Sequence, residues 1–280
     1  MKYLTTLLIL FALGILPVLA QEQIIYKEID TTTNLFLEIH YPDSFDNSKN
    51  YPAMVFFFGG GWIGGNRKQF LNHSRYFVKR GMVCFLADYR TQNQHKTTPF
   101  ESLKDAKSSI RYIRSNSAKF NIDPDQIIAV GGSAGGHLAA ATALVEGYNE
   151  SSDNLSISSI PNALILFNPV IDNGPGGYGY ERIGIQFKDF SPLHNIKKGA
   201  PPTIIFLGTE DKLVPVEAVE YYKLAMEKVG SRCDLKLYEG EGHGFFNYRN
   251  FDLFKKTVLE ADAFLQSLGY LKSNPIITID

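Results

Sequence analysis

Short apolar runs alternate with longer amphipathic stretches along most of the chain. The runs predict eight β-strands, at Ile24–Ile29, Leu35–Tyr41, Ala53–Phe58, Met82–Ala87, Ile127–Val130, Ala163–Phe167, Thr203–Leu207 and Asp234–Tyr238. The middle runs are apolar at nearly every position, as in the sequence MVFFF at 54–58. This pattern is typical of strands that helices cover on both faces, as in parallel sheets.

The stretches between the strands carry apolar residues at helical spacing. They predict helices at Gln69–Arg80, Phe100–Ser115, Ala134–Val145, Val216–Val229 and Leu253–Leu268. Pro99 suits the first turn of the second helix, where a missing N–H costs no hydrogen bond. Alternation of strands and helices after an initial pair of strands predicts a three-layer α/β fold. We expect a mostly parallel eight-stranded sheet with helices on both faces.

One long apolar stretch lies at the N-terminus. Lys2 precedes an apolar run over residues 4–16, and Val18 and Ala20 place small side chains just before Gln21. The pattern predicts a signal peptide over residues 1–20, cleaved after Ala20, and therefore a periplasmic or extracellular protein. The alternative is an uncleaved membrane anchor, although the run is short for a bilayer span. We expect a single domain over residues 21–280 and no stable membrane insertion of the mature chain.

Two segments lack the periodicity of the rest. Residues 171–200 carry the sequence GPGGYGY at 174–180, and a loop of this length in a compact domain is usually functional. We therefore predict an insertion on the substrate side of the domain. The tail after Tyr270 shows no helical or strand pattern, and we expect it to be loose.

Composition excludes several classes of protein. The chain is 44% hydrophobic with 20 Phe and 15 Tyr, which is ample material for a core and excludes global disorder. The formal net charge of −1 argues against a nucleic-acid partner. Two cysteines are too few for a disulfide scaffold or a four-cysteine zinc site.

The sequence IAVGGSAGGHL at 128–138 contains a G-x-S-x-G motif between a predicted strand and an alanine-rich helix. That context is typical of a nucleophile elbow, a tight turn that exposes a serine hydroxyl. Ser133 is therefore the candidate nucleophile, and an ordinary serine in a glycine-rich turn is the alternative. His137 lies one helical turn later, and we interpret it as structural.

A second glycine-rich segment, FFGGGWIGGN at 57–66, follows the third strand. No Lys-Ser or Lys-Thr pair follows it, so it does not match a phosphate-binding P-loop. Acyl transfer needs N–H donors near the developing oxyanion. The candidates are the backbone N–H groups of Gly60, Gly61 and Ala134. Trp62 is a candidate wall of the acyl pocket, or it packs the loop onto the core.

The acid and the base of a serine hydrolase follow the nucleophile in this type of fold, in that order. Asp211 comes just after the strand Thr203–Leu207 and is the candidate acid, with Glu210 as the alternative. His243 lies in EGEGHGF at 239–245, after the last strand, and is the candidate base. His194 precedes the acid and is a weaker rival. This chemistry needs no metal and no organic cofactor, and we expect neither.

These motifs give the chain a resemblance to the α/β-hydrolase serine esterases, in particular the hormone-sensitive-lipase-like and bacterial acetyl esterase branch. The resemblance rests on FGGGW (58–62), ADYR (87–90), GGSAGGHLA (131–139), GTEDKLVP (208–215) and GEGHGFF (240–246). It implies the α/β-hydrolase fold and a Ser133–Asp211–His243 triad. One position departs from the family pattern, because Phe58 stands where a histidine usually precedes the glycines. We expect packing to hold Phe58 instead.

The resemblance also implies features of the pocket and of the cysteines. No room is left for an N-terminal cap domain, so the glycine loop and residues 171–200 would cover the pocket. Tyr178, Tyr180 and Phe187 are candidate aromatic faces for a sugar ring, or they pack the loop. The family's sheet order separates the strands of Cys84 and Cys233, which predicts two free thiols.

The expected function is that of an exported carboxylesterase acting on short-chain, chiefly acetyl, esters of carbohydrates. Its expected partner is a small-molecule or oligosaccharide ester. Three alternatives remain open: a feruloyl-type esterase, a peptidase of the prolyl-oligopeptidase type, and a binding protein without catalysis on the same fold.

Overall fold

Eight strands form one continuous sheet in the computed structural model, which describes residues 21–279. The strands are β1 (Gln21–Glu28), β2 (Asn34–His40), β3 (Tyr51–Phe57), β4 (Val83–Ala87), β5 (Ile122–Gly132), β6 (Ala163–Phe167), β7 (Thr203–Gly208) and β8 (Cys233–Tyr238). Their order is β1-β2-β4-β3-β5-β6-β7-β8. Strand β2 is antiparallel to both neighbours and the other pairs are parallel, so the predicted sheet is confirmed. The predicted signal peptide lies outside the described residues.

Five longer helices cover the sheet. They are α1 (Leu71–Lys79), α2 (Pro99–Ser115), α3 (Ala134–Leu144), α4 (Val216–Lys228) and α5 (Phe251–Ser267). Helices α2, α3 and α4 pack on one face, while α1 and α5 pack on the other. Shorter helical turns occur at Gln92–His95, Ser117–Phe120, Tyr180–Ile183 and Phe187–Phe190. Within residues 21–279, no helix combines the length and the apolar character that crossing a membrane requires.

Strand β3 shows why the middle runs are apolar throughout. Val55 and Phe57 pack into the cluster beneath α2 and α3, whereas Met54 and Phe56 pack into the cluster beneath α1 and α5. Side chains alternate between the two faces of a strand, and here both faces are core. The pattern therefore has no polar positions left to reveal a solvent-facing side.

The start of α2 follows the predicted signal. The Thr98 hydroxyl accepts a hydrogen bond from the N–H of Phe100, and the N–H of Thr98 donates to the Glu101 carboxylate at 3.0 Å. This reciprocal capping satisfies backbone groups that the first turn would otherwise leave free. Pro99 occupies the first helical position, as predicted.

The tail after Tyr270 is docked, and the expectation that it is loose is wrong. The buried guanidinium of Arg80 donates hydrogen bonds to the carbonyl oxygens of Lys272 and Pro275. The same guanidinium pairs with Asp262, with 2.5 Å between Nε and Oδ2. Contacts made by backbone carbonyls leave no periodic pattern in the sequence, which explains the error.

The two cysteines are unpaired and buried, as predicted. Cys84 lies in β4 and Cys233 in β8, and four strands of the sheet separate them. The two side chains also belong to core clusters on opposite faces of the sheet. Burial raises the pKa of both thiols, that of Cys233 to about 12, so both stay protonated at neutral pH.

Candidate active site

Ser133 occupies a sharp turn between the end of β5 and the start of α3. Its backbone has φ 54° and ψ −120°, a conformation that residues with a side chain rarely adopt. A Cβ atom at Gly131 would lie 2.1 Å from the carbonyl oxygen of Gly135, and one at Gly135 would lie 2.0 Å from that of Phe57. Only glycine fits at these two positions, so the motif spacing follows directly from the close approach of strand and helix.

The loops after β7 and β8 bring Asp211 and His243 to this serine. His243 Nε2 lies 3.0 Å from Ser133 Oγ, and His243 Nδ1 lies 2.8 Å from Asp211 Oδ2. A carboxylate can only accept, so Nδ1 carries the hydrogen and Nε2 presents its lone pair to the serine hydroxyl. This tautomer is the one in which histidine can take a proton from serine.

The Asp211 side chain is fully buried, whereas the His243 side chain is 25% exposed. The second carboxylate oxygen of Asp211, Oδ1, accepts from the backbone N–H groups of Leu213 at 2.8 Å and Val214 at 3.1 Å. These contacts hold the carboxylate in one orientation and thereby orient the imidazole.

The two alternatives from the sequence are not brought to the serine. His194 Nδ1 instead faces Asp172, 3.8 Å from its Oδ1. Glu210 is joined to the loop after β8 through its backbone, with its N–H donating to the carbonyl oxygen of Glu241 at 2.9 Å. Of the candidate acids and bases, the arrangement therefore favours Asp211 and His243.

The glycine loop reaches the nucleophile. A Cβ atom at Gly59 would lie 3.4 Å from Cβ of Ser133. Gly60 and Gly61 have φ values of 126° and 64°, and neither of their N–H groups donates a hydrogen bond within residues 21–279. Ala134 is the first residue of α3, where an N–H has no intrahelical acceptor. The loop and the helix start thus offer free N–H donors beside Ser133.

Packing holds Phe58, as predicted. Its ring stacks on Tyr89 with 4.1 Å between centroids and 15° between planes. The Tyr89 hydroxyl donates to the carbonyl oxygen of Phe58 at 2.7 Å. The ADYR segment therefore has a structural role: its tyrosine supports the residue that precedes the glycines.

Two residues that the sequence did not single out connect the glycine loop to the histidine loop. The N–H of Gly59 donates to Gln69 Oε1 at 2.7 Å, and Gln69 Nε2 donates to Asn247 Oδ1 at 3.0 Å. Asn247 in turn donates to the carbonyl oxygen of Gly244, the residue after His243, at 2.8 Å. These amides join residues 178 positions apart, and no sequence motif marks them.

Trp62 packs the loop onto the core and does not form an open pocket wall. Its side chain is 1% exposed and lies edge-on to His137, with 5.1 Å between ring centroids. The guanidinium of Arg182 lies 5.3 Å from the Trp62 ring centroid and donates to the carbonyl oxygen of Gly61 at 2.5 Å. The segment 171–200 therefore contacts the glycine loop, as an insertion on this side should.

A cavity of about 480 Å³ lies between the glycine loop, this insertion and the turn after Asp211. Its lining includes Ile63, Tyr178, Arg182 and Lys212. Tyr180 is not part of that lining, and its ring instead packs edge-on to Phe187 with 6.0 Å between centroids. Of the aromatic residues predicted to meet substrate, Tyr178 alone lines this cavity.

The remaining buried histidines are structural. Burial lowers the pKa of His73 and of His137 to about 3, so both rings are neutral. His137 Nε2 lies 3.1 Å from the carbonyl oxygen of Phe190, to which it donates. The interpretation of His137 as a packing residue is confirmed.

Known proteins resemble this chain over most of its length. A family model described as BD-FAE matches residues 37–174, and the model of the Dienelactone hydrolase family matches residues 177–272. Among solved structures, the apo form of Thermogutta terrifontis esterase 2 is 42% identical with a TM-score of 0.87, covering 91% of this chain and 97% of that one. A propionate-bound structure of that esterase is 41% identical with a TM-score of 0.86, at the same coverage.

Among curated proteins, the acetylxylan esterase of Xylanibacter ruminicola is 29% identical over 240 residues, which are 78% of this chain and 44% of that protein. The chain spans about half the length of the curated relatives it matches.

The contact between Tyr89 and Phe58 can be tested by its effect on stability. Tyr89→Phe keeps the stacked ring but leaves the buried Phe58 carbonyl without its donor. We expect the free energy of unfolding in urea to fall by about 1–2 kcal/mol. Tyr221→Phe, at an exposed tyrosine of α4, is the control and should change it by less than about 0.5 kcal/mol. Equal unfolding curves for both variants would contradict the assigned role.

Proposed function

The chain belongs to the esterases of the α/β-hydrolase fold, and we propose that it hydrolyses short-chain, chiefly acetyl, esters of carbohydrates. The observation that carries the proposal is the hydrogen-bonded row of Ser133, His243 and Asp211 beside free backbone N–H groups. Each group stands where acyl transfer through a covalent acyl-enzyme requires it.

In the first step, Ser133 Oγ attacks the carbonyl carbon of the ester while His243 Nε2 accepts the hydroxyl proton. The carbonyl oxygen becomes an oxyanion and takes hydrogen bonds from the free N–H donors of the glycine loop and of Ala134. Loss of one such donor typically lowers kcat by about 10²–10³. Asp211 stabilises the imidazolium that forms and keeps its ring in place.

In the second step, His243 Nε2 returns the proton to the alcohol oxygen, which leaves, and the acyl group stays on Ser133. Water then attacks the acyl carbon and gives its proton to the same nitrogen. Collapse of the second tetrahedral intermediate releases the acid and restores the serine hydroxyl. Every proton passes through one imidazole nitrogen, whose lone pair faces Ser133 in the resting structure.

The packing around the loop supports a short acyl group. Trp62 fills the space under the glycine loop, and a Cβ atom at Gly61 would lie 2.4 Å from the Tyr178 hydroxyl oxygen. Little room for a long chain remains between these groups. A propionate-bound structure of the related Thermogutta terrifontis esterase agrees with this size.

The cavity beside the site supports a polar alcohol. Tyr178, Arg182 and Lys212 give it hydrogen-bonding and charged groups, which suit hydroxyl-rich sugars better than an aliphatic chain. One of the matched relatives is named an acetylxylan esterase. Acetyl groups on an oligosaccharide are therefore the proposed substrate.

The triad proposal is tested with Ser133→Ala. We expect kcat for p-nitrophenyl acetate to fall by about 10⁴–10⁶, because the nucleophile is lost. A fluorophosphonate probe should label the wild-type protein and not the variant. Ser151→Ala, at an exposed serine, is the control and should keep both activity and labelling. Turnover or labelling that survives in Ser133→Ala would reject the assignment.

The substrate proposal is tested with two series of esters. With p-nitrophenyl acetate, butyrate and octanoate, we expect kcat/KM to fall at least about tenfold along the series, because each misfitted methylene costs about 1–3 kcal/mol. With acetylated and feruloylated xylo-oligosaccharides, we expect faster release of acetate than of ferulate. Faster release of ferulate would reject the acetyl assignment in favour of a feruloyl-type esterase.

We also propose export, on the strength of the N-terminal sequence. Lys2, the apolar run over 4–16 and the small residues Val18 and Ala20 form a cleavable signal. In cells that express the full chain, mass spectrometry of the exported protein should find Gln21 at its N-terminus, and Ala20→Arg should prevent cleavage. Protein that starts at Met1 and remains in the membrane fraction would indicate an anchor instead.

A further inference from the structure

Asn168 contacts the reacting imidazole and has no part in the mechanism described so far. It follows β6 directly, is 1% exposed and has a left-handed backbone with φ 33°. Its N–H donates to the carbonyl oxygen of Phe206 at 2.7 Å, which fixes the backbone against β7. A non-glycine residue held in this conformation and buried next to a reactive group indicates a specific role.

The hydrogen bonds of Asn168 determine which way its amide points. Its side-chain oxygen Oδ1 lies 3.0 Å from the backbone nitrogen of Gly244, which can only donate. The amide nitrogen Nδ2 must therefore be the atom that lies 3.3 Å from His243 Nε2. An N–H donor thus faces the nitrogen that exchanges protons with Ser133.

The contact distinguishes the two protonation states of the ring. When Nε2 carries a lone pair, it can accept from both Ser133 Oγ and Asn168 Nδ2. When Nε2 carries a hydrogen, the amide N–H faces another N–H. The groups within hydrogen-bonding distance of the imidazole among the described residues are Asp211, Ser133 and Asn168, and of these Asp211 alone carries a charge. Glu241, on the histidine's own loop, makes no hydrogen bond to the ring.

We propose that Asn168 is a positioning residue of the esterase reaction, whose amide N–H keeps Nε2 of His243 an acceptor facing Ser133. This inference rests on the proposed function, because it assigns a task to the same site. The same side chain anchors the histidine loop through Gly244. A neutral donor makes His243 a slightly weaker base but leaves it unprotonated, and so active, to lower pH.

The test is Asn168→Asp, which exchanges one nitrogen for oxygen and keeps the acceptor for Gly244. A carboxylate oxygen near Nε2 would favour the protonated ring, since an opposite charge at this distance shifts titration by about 1–3 pH units. We expect the acid limb of kcat/KM against pH to move up by at least about one unit, with activity at pH 6 at least tenfold lower and recovery at alkaline pH.

Asn162→Asp is the matched control, because Asn162 lies just before β6, at the opposite end of the strand. Its Oδ1 accepts from the N–H of Ile127 at 3.0 Å, so the exchange is equivalent in shape and charge. The pH profile of this variant should overlay that of the wild type. A lower but unshifted profile for Asn168→Asp would show a merely structural role and overturn the proposal.

A second variant and a second readout keep the test decisive. If Asn168→Asp does not fold, Asn168→Ala should still move the acid limb upward, by a smaller amount, and an unmoved limb would overturn the proposal. NMR titration of the His243 ring should show the same upward movement without any substrate. That readout separates the two proposals, because it can succeed even if the wild type hydrolyses no ester.

Discussion

The strained turn at Ser133 is the constraint on which the rest of the site depends. A side-chain-bearing residue at φ 54° costs about 1–3 kcal/mol, and it persists because its surroundings leave no alternative. The N–H of Ser133 donates to the carbonyl oxygen of Phe167, and its carbonyl oxygen accepts from the N–H groups of His137 and Val170. The end of β6 thus holds the nucleophile from one side, and α3 holds it from the other.

Three further loops have to meet this turn from separate strands, and neutral amides provide the links between them. Gln69 and Asn247 join the glycine loop to the histidine loop, while Asn168 joins the end of β6 to Gly244. An amide both donates and accepts, so it can connect two backbone segments without adding charge. A charged link at the same places would act on His243 through a poorly screened environment. The arrangement therefore fixes geometry and leaves the charge balance of the site to Asp211 and His243.

Much of this architecture is predictable because burial on two faces leaves a strong pattern. All eight strands and five long helices appear close to the predicted bounds, and the α/β-hydrolase fold is confirmed. Ser133, Asp211 and His243 are identifiable because each follows a strand in a fixed chain order. Gln69, Asn247 and Asn168 are not, since a contact between two distant amides leaves no local trace. The packing role of Trp62 and the docked tail depend on tertiary contacts in the same way.

Phe58 shows how an apolar contact can replace a polar one in this fold. The family resemblance places a histidine at this position, and a histidine would hold the loop through a hydrogen bond that depends on protonation. Here the ring of Phe58 stacks on Tyr89, and burial raises the pKa of that tyrosine far above its ordinary value. Neither side chain changes charge between acidic and neutral pH, and Gln69 does not titrate either. The oxyanion loop therefore keeps its support across that range, and the pH response of the site's centre is left to the imidazole of His243 and the carboxylate of Asp211.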